Sequence, residues 1–272
     1  MPPELVLLIG LSGLAVGSFL NVLVARVPDG RSVVRPRSAC PHCETPIAAR
    51  DNIPLLSWIL LDRRCRACRA PIPARYPLLE ALTGVLFAAE AVRFGWSETL
   101  PAALVFTAGL LALAACDAER FLLPRRLVHP TLALTAACLL VAAATTGQWQ
   151  RLGVTAACAV GGFAVFLALH LARPAWLGFG DVRLAALLGT GLGWLGPWYL
   201  VLALVAGSAL GLLVGIVLIA AGRATRHTRL PFGLFLAAGA IVALLAGAPL
   251  VHWYETAGTP YARTAPLTAP GP

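Results

Sequence analysis

Leu177-Gly178-Phe179-Gly180-Asp181-Val182-Arg183 places a carboxylate where a long apolar run resumes. The comparable carboxylate is Asp117, at the end of another apolar run in Ala115-Cys116-Asp117-Ala118-Glu119-Arg120. A carboxylate at or inside a membrane boundary is costly, which makes it a functional candidate by default. Two of them on different segments of one bundle suggest a facing pair. Held close, they cannot both ionise comfortably, so one keeps its proton and an acid sits beside a base. Such a pair can activate water against a peptide bond. Gly178 and Gly180 have no Cβ, tolerate unusual dihedrals and let another backbone approach. The same residue types also fit a helix-terminal Asp at the water interface with glycines marking a turn.

Working outward, the chain has 272 residues, of which 59% are hydrophobic and 12% charged, and its mean hydropathy is +0.81. That composition excludes an ordinary soluble domain and implies an all-α polytopic membrane protein. The net charge of +9 comes from arginine alone. These arginines cluster between apolar runs, as expected for cytoplasmic loops rather than for a nucleic-acid surface. About eight spans are read, at 5–24, 77–94, 100–116, 127–146, 154–171, 181–195, 198–221 and 232–253. The first is retained rather than a cleaved signal, since it lacks a basic leader and Arg26 follows it. Its Gly10, Gly13 and Gly17 suit close helix packing. Threading the spans alternately puts 18 of the 21 arginines on one side. Both termini then lie outside, and Asp117 and Asp181 share the cytoplasmic side. Trp96, Trp149, Trp194, Trp198 and Trp253 fall at the outer interface as an aromatic belt.

Residues 26–76 form one hydrophilic cytoplasmic insert after the first helix (1–25), followed by the membrane domain 77–253 and a disordered tail 254–272. The insert carries Cys40-Pro-His-Cys43 and Cys65-Arg-Ala-Cys68. Two C-x-x-C pairs match a closed, tetrahedral structural zinc site, and neighbouring arginines favour thiolates. Disulfides or a redox C-x-x-C are the alternative, though an Arg-rich insert belongs in a reducing compartment. His42 reads as a bystander. Cys116, Cys138 and Cys158 read as small hydrophobes. Glu80 could serve a site in the cytoplasmic half, and Glu90 could pair with Arg93 by helical spacing. No internal repeat stands out.

Several motifs in order resemble the bifunctional type IV prepilin peptidases, the leader peptidase/N-methyltransferases of type IV pilus and type II secretion systems. They are Gly17-Ser-Phe-Leu-Asn-Val22, Arg26-Val-Pro28, the four cysteines, Asp51-Asn-Ile-Pro-Leu-Leu-Ser-Trp58 and Arg75-Tyr-Pro-Leu-Leu-Glu80. Asp117 with Pro124, then Gly178-Phe-Gly-Asp181 and Pro231-Phe-Gly233, complete the series. The resemblance implies an aspartic peptidase of the bacterial cytoplasmic (inner) membrane with Asp117 and Asp181 as its dyad. Its substrates would be prepilins or pseudopilins, cut after a glycine between a basic leader and an apolar helix. It also implies methylation of the freed N-terminus with S-adenosylmethionine, through the amino-terminal half. No S-adenosylmethionine motif is readable in the residues, and a peptidase without methyltransferase activity is the alternative. Arg125, Arg183 and Leu234 depart from the usual pattern, where Asp or Asn, Lys and Pro are common. Intramembrane acids also mark ion-coupled transporters, but both acids here lie near one face. A non-catalytic scaffold would leave Asp117 and Asp181 without a task.

Overall fold

The structure is a computed structural model that describes residues 1–174, 177–225 and 228–257. Among the described residues it is all-helical, with two isolated β-bridges and no strands. The helices are α1 (Pro3–Arg26), α2 (Leu56–Leu60), α3 (Arg75–Phe94), α4 (Leu100–Arg120) and α5 (Arg125–Thr146), then α6 (Trp149–Ala172), α7 (Phe179–Gly193), α8 (Pro197–Ala220) and α9 (Phe232–Ala257). The longer helices stand where the apolar segments were read. Helices α1, α4, α5, α6, α8 and α9 are long and apolar enough to cross a membrane.

Of the other three, α2 is a five-residue helix of the insert, and the two that were read as spans fall short for different reasons. Helix α7 has 15 residues, about 22 Å at 1.5 Å per residue. Helix α3 is long enough but carries Arg75, Glu80, Glu90 and Arg93. Its acids turn inward: Glu80 and Glu90 are buried, while Leu78, Leu82, Val85 and Val92 are exposed. That inside-out distribution is the one a membrane imposes on a helix with ionisable residues. Glu90 is fully buried and accepts the Thr107 hydroxyl. It does not pair with Arg93, whose guanidinium lies 5.3 Å from the centre of the neighbouring Phe94 ring. Bundle packing thus overrode the intrahelical spacing.

The helices associate chiefly as three antiparallel neighbours, α1 with α3, α6 with α7 and α8 with α9. Small residues make each seam possible. A Cβ on Gly17 would lie 2.7 Å from the Glu80 Cα, and one on Gly239 would lie 2.3 Å from the Ala203 carbonyl oxygen. The glycine row of the first helix therefore packs as expected. Phe106, Leu110 and Leu113 of α4 meet Leu184, Leu187 and Leu188 of α7 and Leu236 of α9 in the central core. Trp194 departs from the expected belt. It is 3% exposed and its indole N–H donates to Thr99 Oγ1 at 3.0 Å, joining the loops after α3 and α7. Trp96, Trp149 and Trp253 are exposed. Helix α9 includes 254–257, and the rest of the expected tail, with Arg226, lies outside the described residues.

Candidate active site and metal centre

Asp117 lies in the last turn of α4, where its carbonyl accepts the N–H of Phe121 at 2.9 Å. Phe121 is left-handed (φ 51°) and ends the helix. The carboxylate thus sits at the negative end of its own helix dipole and is 6% exposed, a costly position. The compensation comes from a third helix. The Leu234 N–H, in the first turn of α9, donates to Asp117 Oδ2 at 2.9 Å. A helix N-terminus is a ready anion site, so Pro231-Phe232-Gly233 has a physical role as the start of the helix that holds Asp117.

Asp181 is placed by its own helix. Gly178 precedes α7 with extended backbone (φ −71°, ψ 150°), and its N–H donates to Asp181 Oδ2 at 3.2 Å. The half-buried carboxylate therefore lies at the favourable end of a helix dipole. Two further contacts set the approach to this helix. His170 Nδ1 lies 2.7 Å from the Leu177 carbonyl oxygen, and the His170 ring meets Phe179 edge-on at 5.6 Å. Arg183 lies over the Phe179 ring at 4.6 Å, a cation–π contact. Nothing in the structure explains Arg125.

Leu123 lies between the two aspartate motifs. Built Cβ atoms on Gly180 and Gly233 would approach its side chain to 3.0 Å each, and the Gly233 Cβ would also come within 3.0 Å of Asp117 Oδ2. Asp117 and Asp181 were expected to face each other; Asp117, next to Gly233, and the Asp181 motif, through Gly180, border the same Leu123 side chain. Gly178 is exposed and Gly180 half-buried beside them. The insert is tied to the same place. Arg75 at the start of α3 pairs with Glu119, and Asp29 pairs with Arg120 and Arg31. The Arg120 guanidinium holds the Asp29 carboxyl below its ordinary range.

Cys40, Cys43, Cys65 and Cys68 form one cluster with all four sulfurs within 4.8 Å of one another. Cys40 and Cys68 are 3.8 Å apart, which matches the sulfur–sulfur edge of about 3.8 Å in a tetrahedron with metal–sulfur bonds of about 2.3 Å. The cysteines are free rather than disulfide-bonded. Hydrogen bonding with Thr45 lowers the Cys43 thiol to about 6, and backbone N–H groups of Cys68 and Ala67 lower Cys65. The cluster fits a metal ion, and His42 is not part of it.

The insert also holds a short repeat that was not read from the sequence. Ile47 N–H donates to the Ser38 carbonyl (2.8 Å), Cys40 to Thr45 (3.0 Å) and Glu44 to Cys40 (2.9 Å). The same bonds recur as Ile72 to Arg63 (2.7 Å), Cys65 to Ala70 (2.8 Å) and Arg69 to Cys65 (3.0 Å). Glu44 and Arg69, at φ 58° and 60°, take the same left-handed turn. Each knuckle is closed by a bridge, Ala39–Pro46 and Arg64–Pro71. A Cys-x-x-Cys-x-x-Pro-Ile signature was the available signal. Beyond the knuckles, Arg66 clasps Asp51 in a two-pronged pair (2.6 and 2.9 Å), lowering that carboxyl. Glu80 Oε2 accepts the Leu55 N–H at 2.8 Å.

Residues 11–94 match the family described as Bacterial Peptidase A24 N-terminal domain, and residues 104–216 match the Type IV leader peptidase family. The prepilin leader peptidase/N-methyltransferase of Aeromonas hydrophila is 39% identical over 92% of this chain and 93% of its own. The chain belongs to the type IV leader peptidase family. Other relatives of this family bear the same name. That of Burkholderia pseudomallei (strain K96243) is 38% identical over 87% of this chain and 84% of its own. That of Legionella pneumophila is 33% identical over 91% and 93%. No solved structure matches at a significant level. The two matched regions of this type IV leader peptidase part between α3 and α4. The second ends before α9, whose first turn nevertheless reaches Asp117.

Proposed function

We propose that this multi-pass membrane protein is an aspartic endopeptidase that removes the leader of type IV prepilins or type II secretion pseudopilins. It also methylates the new N-terminal residue. The observation that carries the peptidase reading is Asp117, held by the N-terminus of α9, bordering the same Leu123 side chain as the motif that sets Asp181 at the N-terminus of α7. One carboxylate takes a proton from a shared water as it attacks the scissile carbonyl. The other, neutral, polarises the carbonyl oxygen; as the C–N bond breaks, a proton passes to the leaving amine. Gly178 and Gly180 leave room for an extended substrate strand. S-adenosylmethionine supplies the methyl group when bound. The experiment is cleavage of a prepilin-like peptide by purified enzyme in detergent, read by mass spectrometry. Intact peptide from folded wild-type enzyme rejects this reading.

Cys40, Cys43, Cys65 and Cys68 hold a structural zinc that takes no part in hydrolysis. Residues 26–76 form a small insert with no large core of its own, the situation in which a metal staple is needed. One zinc per chain is expected from metal analysis. Cys40→Ser should lower the folded yield several-fold, and folded protein without zinc rejects the assignment.

The arginine distribution supports a cytoplasmic position for the insert and the site, and α3 and α7 serve in this reading as the seventh and eighth spans. A 22 Å helix is about 8 Å shorter than a ~30 Å hydrocarbon core, which recesses Asp181 while leaving it reachable by water. Glu98→Cys and Gln148→Cys, both at exposed positions, test the orientation in protein lacking Cys116, Cys138 and Cys158. An impermeant thiol reagent should label both from outside and leave Pro36→Cys unlabelled. The reverse pattern inverts the topology.

A further inference from the structure

The longest apolar stretch of the insert is Ile53-Pro54-Leu55-Leu56-Ser57-Trp58-Ile59-Leu60-Leu61, which holds α2. Neither hydrolysis nor the cysteine cluster uses it. Its polar groups are spent inward. The Ser57 hydroxyl donates to the Arg50 carbonyl at 3.1 Å and accepts the Ile53 N–H at 2.9 Å, while the Trp58 indole N–H donates to the Ile72 carbonyl at 3.1 Å. Ser57, Trp58 and Leu61 line a cavity of about 1030 Å³ between the insert, α1 and the start of α3. The opposite stripe is apolar and bare. Leu56, Ile59 and Leu60, at helical spacing on one face, are 49%, 65% and 72% exposed. A hydrophilic segment standing in water has no use for such a stripe, and a patch of this kind marks an interaction surface.

The level at which α2 is held says what covers it. The Leu55 N–H donates to Glu80 Oε2 at 2.8 Å. Glu80 packs in turn on Gly17 of α1, where a built Cβ would lie 2.7 Å from the Glu80 Cα. Helix α1 is long and apolar enough to cross a membrane, and Gly17 is about 13 Å from its end at Arg26, at 1.5 Å per residue. The residue before α2 is thus held within one side chain's reach of a point well inside the leaflet, not above the bundle. Two consecutive left-handed residues, Asp62 and Arg63 (φ 50° and 59°), follow α2. Arg63 and Arg64 are exposed there, and the Arg63 guanidinium lies 4.9 Å from the centre of the Trp58 ring. An apolar face with tryptophan and arginine beside it is the composition of a helix lying in a membrane interface. We propose that α2 is such an interfacial helix, with Leu56, Ile59 and Leu60 seated among the acyl chains of the leaflet on the insert's side and Arg63 and Arg64 at its phosphates. The bilayer then holds the insert from outside while Glu80 holds it from within. The placement requires α1 to be a span and is independent of the peptidase reading.

The test places a fluorophore on Leu60→Cys in the zinc-loaded full chain lacking Cys116, Cys138 and Cys158, reconstituted in vesicles of phosphatidylethanolamine and phosphatidylglycerol. Ile59→Cys is the second site. Zinc content and elution volume before reconstitution report folding, and protein without an added cysteine corrects for labelling of the insert. Phe19→Cys, at a half-exposed position of α1, is the reference for a lipid-facing residue. At an interfacial depth of about 5–10 Å, the α2 probe should lose at least about half its emission to lipids spin-labelled high on the acyl chain and keep nearly all of it with iodide. Strong quenching by iodide and none by lipid means that the stripe faces water, and overturns the proposal. Shielding from both quenchers means that protein covers it, a second copy of this chain or a substrate helix, and overturns it equally. A Phe19→Cys probe that lipid leaves unquenched removes the membrane level on which the placement stands, whatever the peptide assay shows.

Discussion

Asp117→Asn and Asp181→Asn are each expected to slow leader cleavage by at least about a thousandfold, and the double variant little more, because groups acting as a unit are not additive. Asparagine keeps the shape and an acceptor oxygen, so the Leu234 and Gly178 N–H groups keep their partners. What is lost is the shared proton, leaving water without an acid–base pair. Circular dichroism and zinc content should therefore remain those of the wild type. Glu119→Gln is the contrasting control: its carboxylate pairs with Arg75 at a partly exposed position, and exposed pairs contribute little. It should cost no more than a few-fold. Single-turnover cleavage of a prepilin-like peptide measures all four, and substantial turnover by either Asn variant rejects the dyad.

The helices were legible because a membrane forces backbone satisfaction within each span, and the apolar runs mark where that happens. Counting spans by apolarity was less secure, because α3 hides its acids inside the bundle and α7 is short. Sequence spacing also misplaced Glu90, since a buried carboxylate takes a partner from the adjacent helix and Thr107 supplies one. The four cysteines were readable as ligands because closed metal sites constrain spacing locally. Their duplicated knuckles went unread although Pro46-Ile47 and Pro71-Ile72 repeat the spacing, because the equivalence in the turns lies in backbone bonds between residues as different as Glu44 and Arg69.

The two aspartates were legible as costly charges in apolar surroundings. How they are paid for was not, since the Leu234 donor to Asp117 is 117 residues away. This contact also gives the Leu234 departure a meaning. A proline at that position has no N–H, so this chain has a donor to Asp117 that the commoner residue could not provide. The same logic hides His170, seven residues from the Leu177 carbonyl it meets. Nothing in its local sequence separates it from any histidine near a helix end.

Gly233→Val is expected to reduce cleavage at least about a hundredfold without unfolding the protein, the cost of moving a reacting group by about 1 Å. A Cβ at this position would stand 3.0 Å from Asp117 Oδ2 and 3.0 Å from both Leu123 methyl carbons. Those contacts are tight enough that a neighbour must give, and the γ-methyls of valine enlarge the displacement. Leu123 is buried, with Gly180 on another side at a built Cβ distance of 3.0 Å. It has little freedom to retreat, so the carboxylate moves instead and loses its alignment with Asp181. Helix α9 itself should tolerate the change, because glycine is the poorer helix former and Gly233 is not at positive φ. Gly233→Ala, needing only a few tenths of an ångström, should lie between wild type and Gly233→Val. The decisive pattern is a graded loss in the single-turnover rate with an unchanged melting profile. Full activity in folded Gly233→Val would mean that the first turn of α9 does not position Asp117, and the account of how this carboxylate is held would fail with it.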